Sequence, residues 1–208
     1  MNDSLYQALT PDNCALLLID HQAGLFLGVH SMDQQMLKNN VLALAKTAQV
    51  LGMPTVLTTS SAHGPNGPTI PELRALFPDI MPIDRSPINL WNDDASRAAV
   101  EATGRKKLIM AAITTDVCLL LPALSAVKAG YDVYAVIDAS GTWSPAAEFV
   151  TFLRLTQAGV IPTNWISVVA ELKNSEDEPW TQAINQDVFG KHMGLYGFLG
   201  DIVQAGKG

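Results

Sequence analysis

Cysteine and positive charge are both scarce in this sequence. Its 208 residues include two cysteines, and 13 lysines and arginines stand against 20 aspartates and glutamates, which gives a net charge of −7. Two thiols in a chain of this length are too few for a disulfide framework. An acidic surface disfavours nucleic acid and anionic membranes as the main partner. We therefore expect neither a disulfide-stapled scaffold nor a nucleic-acid-binding protein.

Long hydrophobic runs are also missing. Every apolar run ends well before the ~20 residues that a transmembrane helix needs. The first 13 residues, MNDSLYQALTPDN, have neither the basic start nor the apolar stretch of a secretory signal. The sequence therefore predicts a reduced, cytoplasmic, soluble protein that does not enter a membrane.

Short apolar runs, in contrast, are plentiful. Hydrophobic residues make up 48% of the chain, and a chain of this length can bury roughly 70% of its unfolded surface in one α/β domain. Short continuous apolar runs rich in β-branched residues predict strands that are buried on both faces of a parallel sheet. The strong candidates are Cys14–Ile19, Thr55–Thr59, Leu108–Ile113 and Tyr131–Ile137, and the weaker ones are Ile80–Ile83 and Val160–Thr163.

Segments with helical spacing alternate with these strands, and each ends at a glycine, a common residue at the end of a helix. They are Gln35–Leu51, Ser96–Thr103, Val117–Ala129 and Pro145–Ala158, followed by Gly52, Gly104, Gly130 and Gly159. This alternation predicts a doubly wound, three-layer α/β/α sandwich. We expect residues 1–208 to form a single domain, with the tail 174–208 used in packing or oligomerisation.

The end of the first predicted strand and the start of a later helix carry the most reactive pair of side chains. Asp20 follows Cys14–Ile19, and Cys118 lies a few residues after Leu108–Ile113. Ligands of open α/β sheets bind outside the carboxyl ends of the strands, where strand order reverses. If these two strands are neighbours, Asp20 and Cys118 face one crevice, where a carboxylate could accept the proton of a thiol.

The position of Cys118 at a helix start also suggests a lowered thiol pKa, because the helix dipole is positive there. Two plainer interpretations stay open at this point. Cys118 could be inert apolar filler, and Asp20 could be a helix cap or a turn residue.

Five segments taken together resemble the isochorismatase-like cysteine hydrolases, in particular their YcaC-type branch. They are DHQAGL at 20–25, TTSSAHGPNGP at 58–68, INLWND at 88–93, the stretch from ITTDVC to DASGT at 113–142, and TNWISVVAEL at 163–172. The resemblance implies a six-stranded parallel sheet of order 3-2-1-4-5-6, in which the first and fourth strands are neighbours. It also implies a homo-oligomer, with an octamer as the expected assembly.

Members of this family use an Asp–Lys–Cys triad, so the resemblance implies that Cys118 is the nucleophile and Asp20 the base. It further implies a cis peptide bond at Ile113–Thr114. Backbone N–H groups near Val117 and Cys118 would hold the oxyanion.

Arg85 occupies the position of the family lysine, which is where this sequence departs from the pattern. Arginine keeps the positive charge, but it cannot release and recover a proton at working pH. Alternatively, Arg85 could form a surface salt bridge with a neighbouring acidic residue; the candidates are Asp84, Asp93 and Asp94.

The resemblance predicts neither a metal nor another cofactor. Nicotinamidase-type relatives bind a metal through an Asp-x-His element after the second strand, and the stretch 58–68 lacks the aspartate. The expected walls of the substrate pocket are largely aromatic and polar: Gln22, Phe26, Asn89, Trp91, Thr114, Thr115, Trp143 and Trp165. Each could equally be a packing residue, Trp165 above all. An aromatic lining suggests a small, flat or apolar substrate.

The function expected from these observations is hydrolysis of a small amide, carbamoyl or related acyl compound through a covalent intermediate on Cys118. Two alternatives stay open. One is hydrolysis of a vinyl ether, as in isochorismatases, which needs no cysteine nucleophile. The other is a catalytically weak, redox-reactive scaffold, an option strengthened by Arg85 at the lysine position.

Overall fold

A six-stranded parallel sheet forms the centre of the protein in a computed structural model, which describes residues 8–197 together with Leu199, Ile202 and Gly206. The strand order is β3-β2-β1-β4-β5-β6, as the resemblance implies. The strands are β1 (Cys14–Ile19), β2 (Thr55–Ser60), β3 (Ile83–Arg85), β4 (Lys107–Ala112), β5 (Asp132–Val136) and β6 (Ile161–Thr163). The predicted fold class is therefore confirmed.

Helices cover both faces of this sheet. They are α1 (Ala23–Leu27), α2 (Gln34–Val50), α3 (Pro71–Leu76), α4 (Asp94–Ala102), α5 (Leu120–Lys128), α6 (Pro145–Gln157) and α7 (Trp165–Lys173). Short 3₁₀ turns lie at Leu90–Asn92 and Ile137–Ala139, and a π-helical turn at Thr115–Leu119 precedes α5. Each of the four glycines predicted to end a helix has a positive φ, between +62° and +86°.

Alternation along β1 explains the three layers. Cys14, Leu16 and Leu18 pack on one face, with α2 and α7. The intervening residues Ala15 and Leu17 pack on the other face, with α4, α5 and α6. Because both faces are covered, all six residues of β1 are buried. Each buried leucine contributes about 1.5–3 kcal/mol relative to an exposed one.

The strand order reverses beside β1, which pairs with β2 on one side and with β4 on the other. Ile19 lies opposite both Thr58 of β2 and Ala112 of β4. The residues after β1 and β4 therefore meet at one carboxyl edge of the sheet, the usual place for a ligand in this architecture.

Two predicted element bounds differ from the structure at this edge. The third strand runs from Ile83 to Arg85, because residues 77–80 form a loop whose carbonyls bind the Arg74 guanidinium. The predicted helix Val117–Ala129 divides into the π-helical turn Thr115–Leu119 and α5. Such π turns occur often at functional sites.

Part of the predicted tail packs against the core. Ile184 and Val188, in a helical stretch after α7, are fully buried in the layer that contains α2 and α7. The last residues of the tail lie largely outside the described residues. In the part of the chain that the structure describes, no helix has the length and apolar character needed to cross a membrane.

Candidate active site

Asp20 begins the site at the end of β1. Its φ of +58° is uncommon for a residue other than glycine, although aspartate tolerates it better than most. The backbone N–H of Asp20 donates to the Thr58 carbonyl at 3.0 Å, and the Thr58 hydroxyl donates to Oδ1 at 3.1 Å. β2 therefore fixes both the backbone and the carboxylate of Asp20, which is fully buried.

Arg85, the last residue of β3, is the charge partner of Asp20. Its Nη2 donates to Asp20 Oδ2, and its Nη1 donates to the carbonyls of Pro87 at 2.6 Å and Ile88 at 2.8 Å. Both charged side chains have no solvent exposure. A surface salt bridge for Arg85 is therefore wrong, since the guanidinium is buried against Asp20 and backbone carbonyls.

The nearby acidic residues have other roles. Asp84 accepts hydrogen bonds from Thr59 and from the backbone of Ala62. Asp93 caps the start of α4, and Asp94 pairs with Arg97. The alternative partners considered for Arg85 are thus occupied elsewhere.

Cys118 lies in the π-helical turn and is only partly buried. Its thiol faces the Asp20 carboxylate, close enough for the two groups to shift each other's pKa. Burial, followed by the charge and the acceptor oxygens of Asp20, raises the pKa of Cys118 from 9.0 to about 12, while the Thr114 backbone and Arg85 oppose the rise. The expected lowering of the thiol pKa is therefore wrong, because the thiol faces a carboxylate in a desolvated site.

Asp20 is suited to act as a base. Burial raises the pKa of its carboxyl above the usual value, and Arg85, Cys118 and Thr58 oppose that rise. A raised pKa makes a carboxylate a better proton acceptor. In the resting site a protonated thiol therefore faces Asp20, which is held by a buried arginine.

The turn that carries Cys118 is fastened to the segment after β5. The Ile113–Thr114 peptide bond is cis, at the position that the resemblance implies. The Thr115 N–H donates to the Gly141 carbonyl at 3.0 Å, and the Thr142 hydroxyl donates to Asp116 Oδ1 at 2.6 Å. Both bonds lie just after the cis peptide bond and hold the start of the turn against residues 141–142.

Other predicted residues near the thiol turn differ in their exposure. Thr114 and Thr115 belong to the turn and are buried. The N–H of Val117 makes only a long hydrogen bond, 3.4 Å, to the Thr114 carbonyl. Trp143 follows Thr142 and is 49% exposed. Its ring covers Gly28, where a Cβ atom would lie 1.8 Å from the indole.

Gln22 and Phe26 lie near the same edge but face the protein. The Gln22 amide bonds the backbone of Ser60 and the carbonyl of Gly67, so it fastens the loop after β2. Phe26 is buried in α1, with its ring centroid 6.2 Å from that of His21.

Three predicted wall residues are not brought to the thiol. Asn89 caps the turn at Leu90–Asn92 and donates to Ser125 Oγ at 3.0 Å, well along α5. Trp91 packs edge-on against Tyr131, which precedes β5 at the opposite edge of the sheet. The structure thus gives Asn89 a contact with α5 and Trp91 a contact near the start of β5, and their assignment to the pocket wall stays a prediction.

Trp165 is the third of these residues. It is 4% exposed and packs against Phe189, in the layer on the other face of the sheet from Cys118. Its role is core packing, the alternative that the sequence already favoured for it.

Sequence reasoning missed four polar residues that the structure places around the pair: His21, Thr58, Asp116 and Thr142. His21 is buried, its Nε2 lies 3.1 Å from the Ala139 carbonyl, and burial lowers its pKa to about 4. Thr58 had a usable signal, because it lies near the end of a strand beside β1. Asp116 and Thr142 are 26 positions apart, so no local pattern links them.

Metal ligands do not cluster at this edge. Within residues 8–197 and the few described beyond them, no group of three or more histidine, cysteine, aspartate or glutamate side chains could hold a metal ion. The prediction of a metal-free site stays a prediction.

Comparison with known proteins identifies the family. The sequence profile of the isochorismatase domain family matches residues 14–167. Over 168 residues the chain is 46% identical to the probable hydrolase YcaC of Escherichia coli (strain K12). The aligned region covers 80% of this chain and 81% of that relative.

Solved structures give the same result. A crystal structure of the Escherichia coli YcaC gene product, an octameric hydrolase of unknown specificity, has a TM-score of 0.92 and 41% identity over 96% of this chain and 98% of that one. YcaC from Pseudomonas aeruginosa, with hexane-2,5-diol and covalent acrylamide, has a TM-score of 0.89 and 41% identity, covering 98% of both chains. The shared fold and the matching domain place this chain among the hydrolases of the isochorismatase family, in its YcaC-type branch.

Proposed function

We propose that this protein is a cysteine hydrolase that cleaves a small amide, carbamoyl or related acyl compound through a covalent intermediate on Cys118. The juxtaposition of the Cys118 thiol and the buried Asp20 carboxylate is the observation that carries the proposal, because it brings a nucleophile to a base. The Pseudomonas aeruginosa relative with covalent acrylamide supports the nucleophile, since acrylamide is a small amide whose alkene alkylates reactive thiols and leaves the amide bond intact.

The first half of the reaction forms a thioester. As Cys118 sulfur bonds to the carbonyl carbon, the thiol proton passes to Asp20 and negative charge develops on the carbonyl oxygen. Backbone N–H groups of the turn around Val117 and Cys118 are the proposed donors to that oxyanion. The C–N bond then breaks, and the leaving amine takes the proton from Asp20.

The second half consumes water. Asp20 accepts a proton from a water molecule as the water oxygen attacks the thioester carbon. The C–S bond breaks, the sulfur recovers the proton, and a carboxylic acid leaves. One amide and one water thus give one acid and one amine, and the enzyme returns to its starting state.

Arg85 acts in this mechanism through its charge and its geometry. Its guanidinium keeps the Asp20 carboxylate ionised and oriented, and two backbone carbonyls hold the guanidinium in turn. A guanidinium stays protonated at working pH, so every proton transfer passes through Asp20.

We also propose that the protein assembles into a closed homo-oligomer, with an octamer as in the Escherichia coli relative. Exposed apolar side chains on α6 support this: Phe149, Val150 and Leu153 are 63%, 55% and 49% exposed. They recur at helical spacing and form an outward stripe. Light scattering should give eight chains, and a monomer at micromolar concentration would contradict the proposal. A role for the tail in the assembly, and a cytoplasmic location, stay predictions.

Mass spectrometry of the intact protein tests the reaction. With a panel of small amides, a mass increase on the wild type and on Cys14→Ser, absent from Cys118→Ser, together with amine release, is the expected result. Turnover without an adduct, retained in Cys118→Ser, would instead indicate a mechanism that needs no cysteine nucleophile, as in vinyl ether hydrolysis. Oxidation of Cys118 to sulfenic acid with no turnover of any amide would indicate a redox scaffold.

A further inference from the structure

The guanidinium of Arg85 is enclosed, which restricts what the site can bind. Nη2 is bonded to Asp20, and Nη1 is bonded to the carbonyls of Pro87 and Ile88. Nε has no partner, but it is buried in a side chain with no solvent exposure. No N–H of this group can reach a substrate carboxylate unless the buried pair with Asp20 opens.

The ion pair itself adds no net charge beside the thiol. Asp20 and Arg85 cancel each other, and Arg85 is a cation that acts on the thiol. Asp116, two residues before Cys118, is partly buried and accepts a hydrogen bond from Thr142. His21, next to Asp20, lies buried with its pKa lowered to about 4 and is therefore neutral at pH 7.

The rim of the site is apolar. Ile88, whose carbonyl accepts from Arg85, has a side chain that is 62% exposed. Trp143 follows Thr142, which binds Asp116, and is 49% exposed. Leu27 precedes Gly28, which the Trp143 ring covers, and is 75% exposed. These three exposed side chains, next to residues of the site, are therefore apolar and carry no charge.

We infer that the site accepts uncharged small amides and rejects substrates that carry a carboxylate. This inference rests on the proposed function and specifies its substrate class. An anion entering the site loses its hydration and meets a guanidinium whose donors are enclosed, next to the carboxylate of Asp20. The same argument excludes isochorismate as a substrate of this chain, because isochorismate carries two carboxylates.

Alkylation of Cys118 by two matched reagents tests the inference without turnover. Acrylamide is neutral, and fumaramate is the same molecule with one added carboxylate. The alkylation rate of Cys118 with each reagent is measured by intact mass on the Cys14→Ser variant. Each rate is divided by the rate at which the same reagent alkylates 2-mercaptoethanol, which corrects for the reagent's intrinsic reactivity. We expect the normalised rate to be at least about tenfold higher for acrylamide, which corresponds to a modest charge repulsion in a partly buried site. Equal normalised rates, or a preference for fumaramate, would overturn the inference.

A new cation at the rim should reduce this preference. Ile88→Lys places an ammonium beside the site and should lower the acrylamide-to-fumaramate ratio about threefold or more. Met81→Lys is the matched control, because Met81 is 75% exposed and lies before β3, away from the Ile88 carbonyl. An equal change in both variants, or no change in Ile88→Lys, would count against a local electrostatic origin.

Hydrolysis separates failure of this inference from failure of the proposed function. Propionamide and succinamate differ by one carboxylate, and amine release measures turnover of both. Propionamide turnover with little succinamate turnover supports both proposals. Comparable turnover of the two retains the cysteine hydrolase and overturns the substrate class. No acylation or alkylation of Cys118 by any of these compounds overturns the proposed function itself.

Discussion

The two thiols of this protein have the same raised pKa, about 12, in very different surroundings. Cys14 is fully buried at the start of β1, and its thiol donates to the Thr10 carbonyl at 3.0 Å. Cys118 is partly buried at the opposite edge of the sheet and faces the Asp20 carboxylate. A carbonyl cannot take the proton away, whereas a carboxylate can. What separates a reactive thiol from an inert one here is the proton acceptor and access to it, and not the resting pKa.

Removing that acceptor should have the largest effect on the comparison. Asp20→Asn should lower amide turnover by about 10²–10⁴-fold, the usual contribution of a general base. The pKa of Cys118 should fall at the same time, because the negative charge that raises it is gone. Alkylation across pH would show the second effect and turnover the first. A fall in turnover with a higher thiol pKa would contradict this account.

Asp20→Asn also leaves Arg85 buried without a counter-ion, which costs about 3–5 kcal/mol of unfolding free energy. The measurements therefore need a temperature at which circular dichroism shows the variant folded. Asp84→Asn is a suitable control, since Asp84 is an exposed carboxylate near Arg85.

Direct labelling should distinguish the two thiols by about 100-fold or more. Iodoacetamide at neutral pH should modify Cys118 first, because it is accessible and has Asp20 beside it, whereas Cys14 must wait for local opening of the fold. Peptide mapping of partially labelled protein gives both rates in one sample. Equal rates at both thiols, or none at Cys118, would remove the distinction.

Replacement of Arg85 by lysine should change amide turnover less than the loss of Asp20 does. Arg85→Lys retains the charge beside Asp20, so turnover should stay within about tenfold, or about 1.4 kcal/mol. Arg85→Ala should lower both stability and turnover strongly, because it leaves Asp20 buried and unpaired. A large gain of turnover in Arg85→Lys would show that the chemistry needs a lysine proton.

The hydrogen bond that fastens the turn carrying Cys118 should have the smallest effect on turnover. Thr142→Val removes the hydroxyl that donates to Asp116, which should cost ~1 kcal/mol of stability. Turnover should fall less than about tenfold through misplacement of Cys118, and Thr142→Ser should restore it. Thr151→Val is the control, since the Thr151 hydroxyl bonds only within α6, to the Ala147 carbonyl. Equal losses of turnover in Thr142→Val and Thr151→Val would exclude a specific positioning role.

Sequence patterns located the reactive pair but not its electrostatics. Asp20 and Cys118 could be placed together because the residues after neighbouring parallel strands share an edge. The resemblance placed Arg85 correctly against Asp20 even though the bounds of β3 were misjudged. The pKa of Cys118 was predicted in the wrong direction, because a helix start is visible in sequence while burial beside a carboxylate is not.

The tryptophans also show what sequence patterns cannot predict, namely the direction in which a loop residue packs. Trp91, Trp143 and Trp165 all lie in loops or at helix starts near strand ends, so sequence position alone treats them alike. The structure separates them: Trp91 packs on Tyr131, Trp165 on Phe189, and Trp143 stays at the rim. Which way a loop turns after a strand depends on the packing of distant helices, and no local pattern contains that information.

The enclosure of Arg85 also bears on what happens after catalysis. Under the proposed mechanism, hydrolysis of a neutral amide gives an acid that ionises beside Asp20, where the Arg85 guanidinium is already paired. We therefore expect the site to bind its neutral substrate more tightly than the product anion. Added propionate should then leave the initial rate of propionamide hydrolysis unchanged, so the enzyme should stay free of product inhibition.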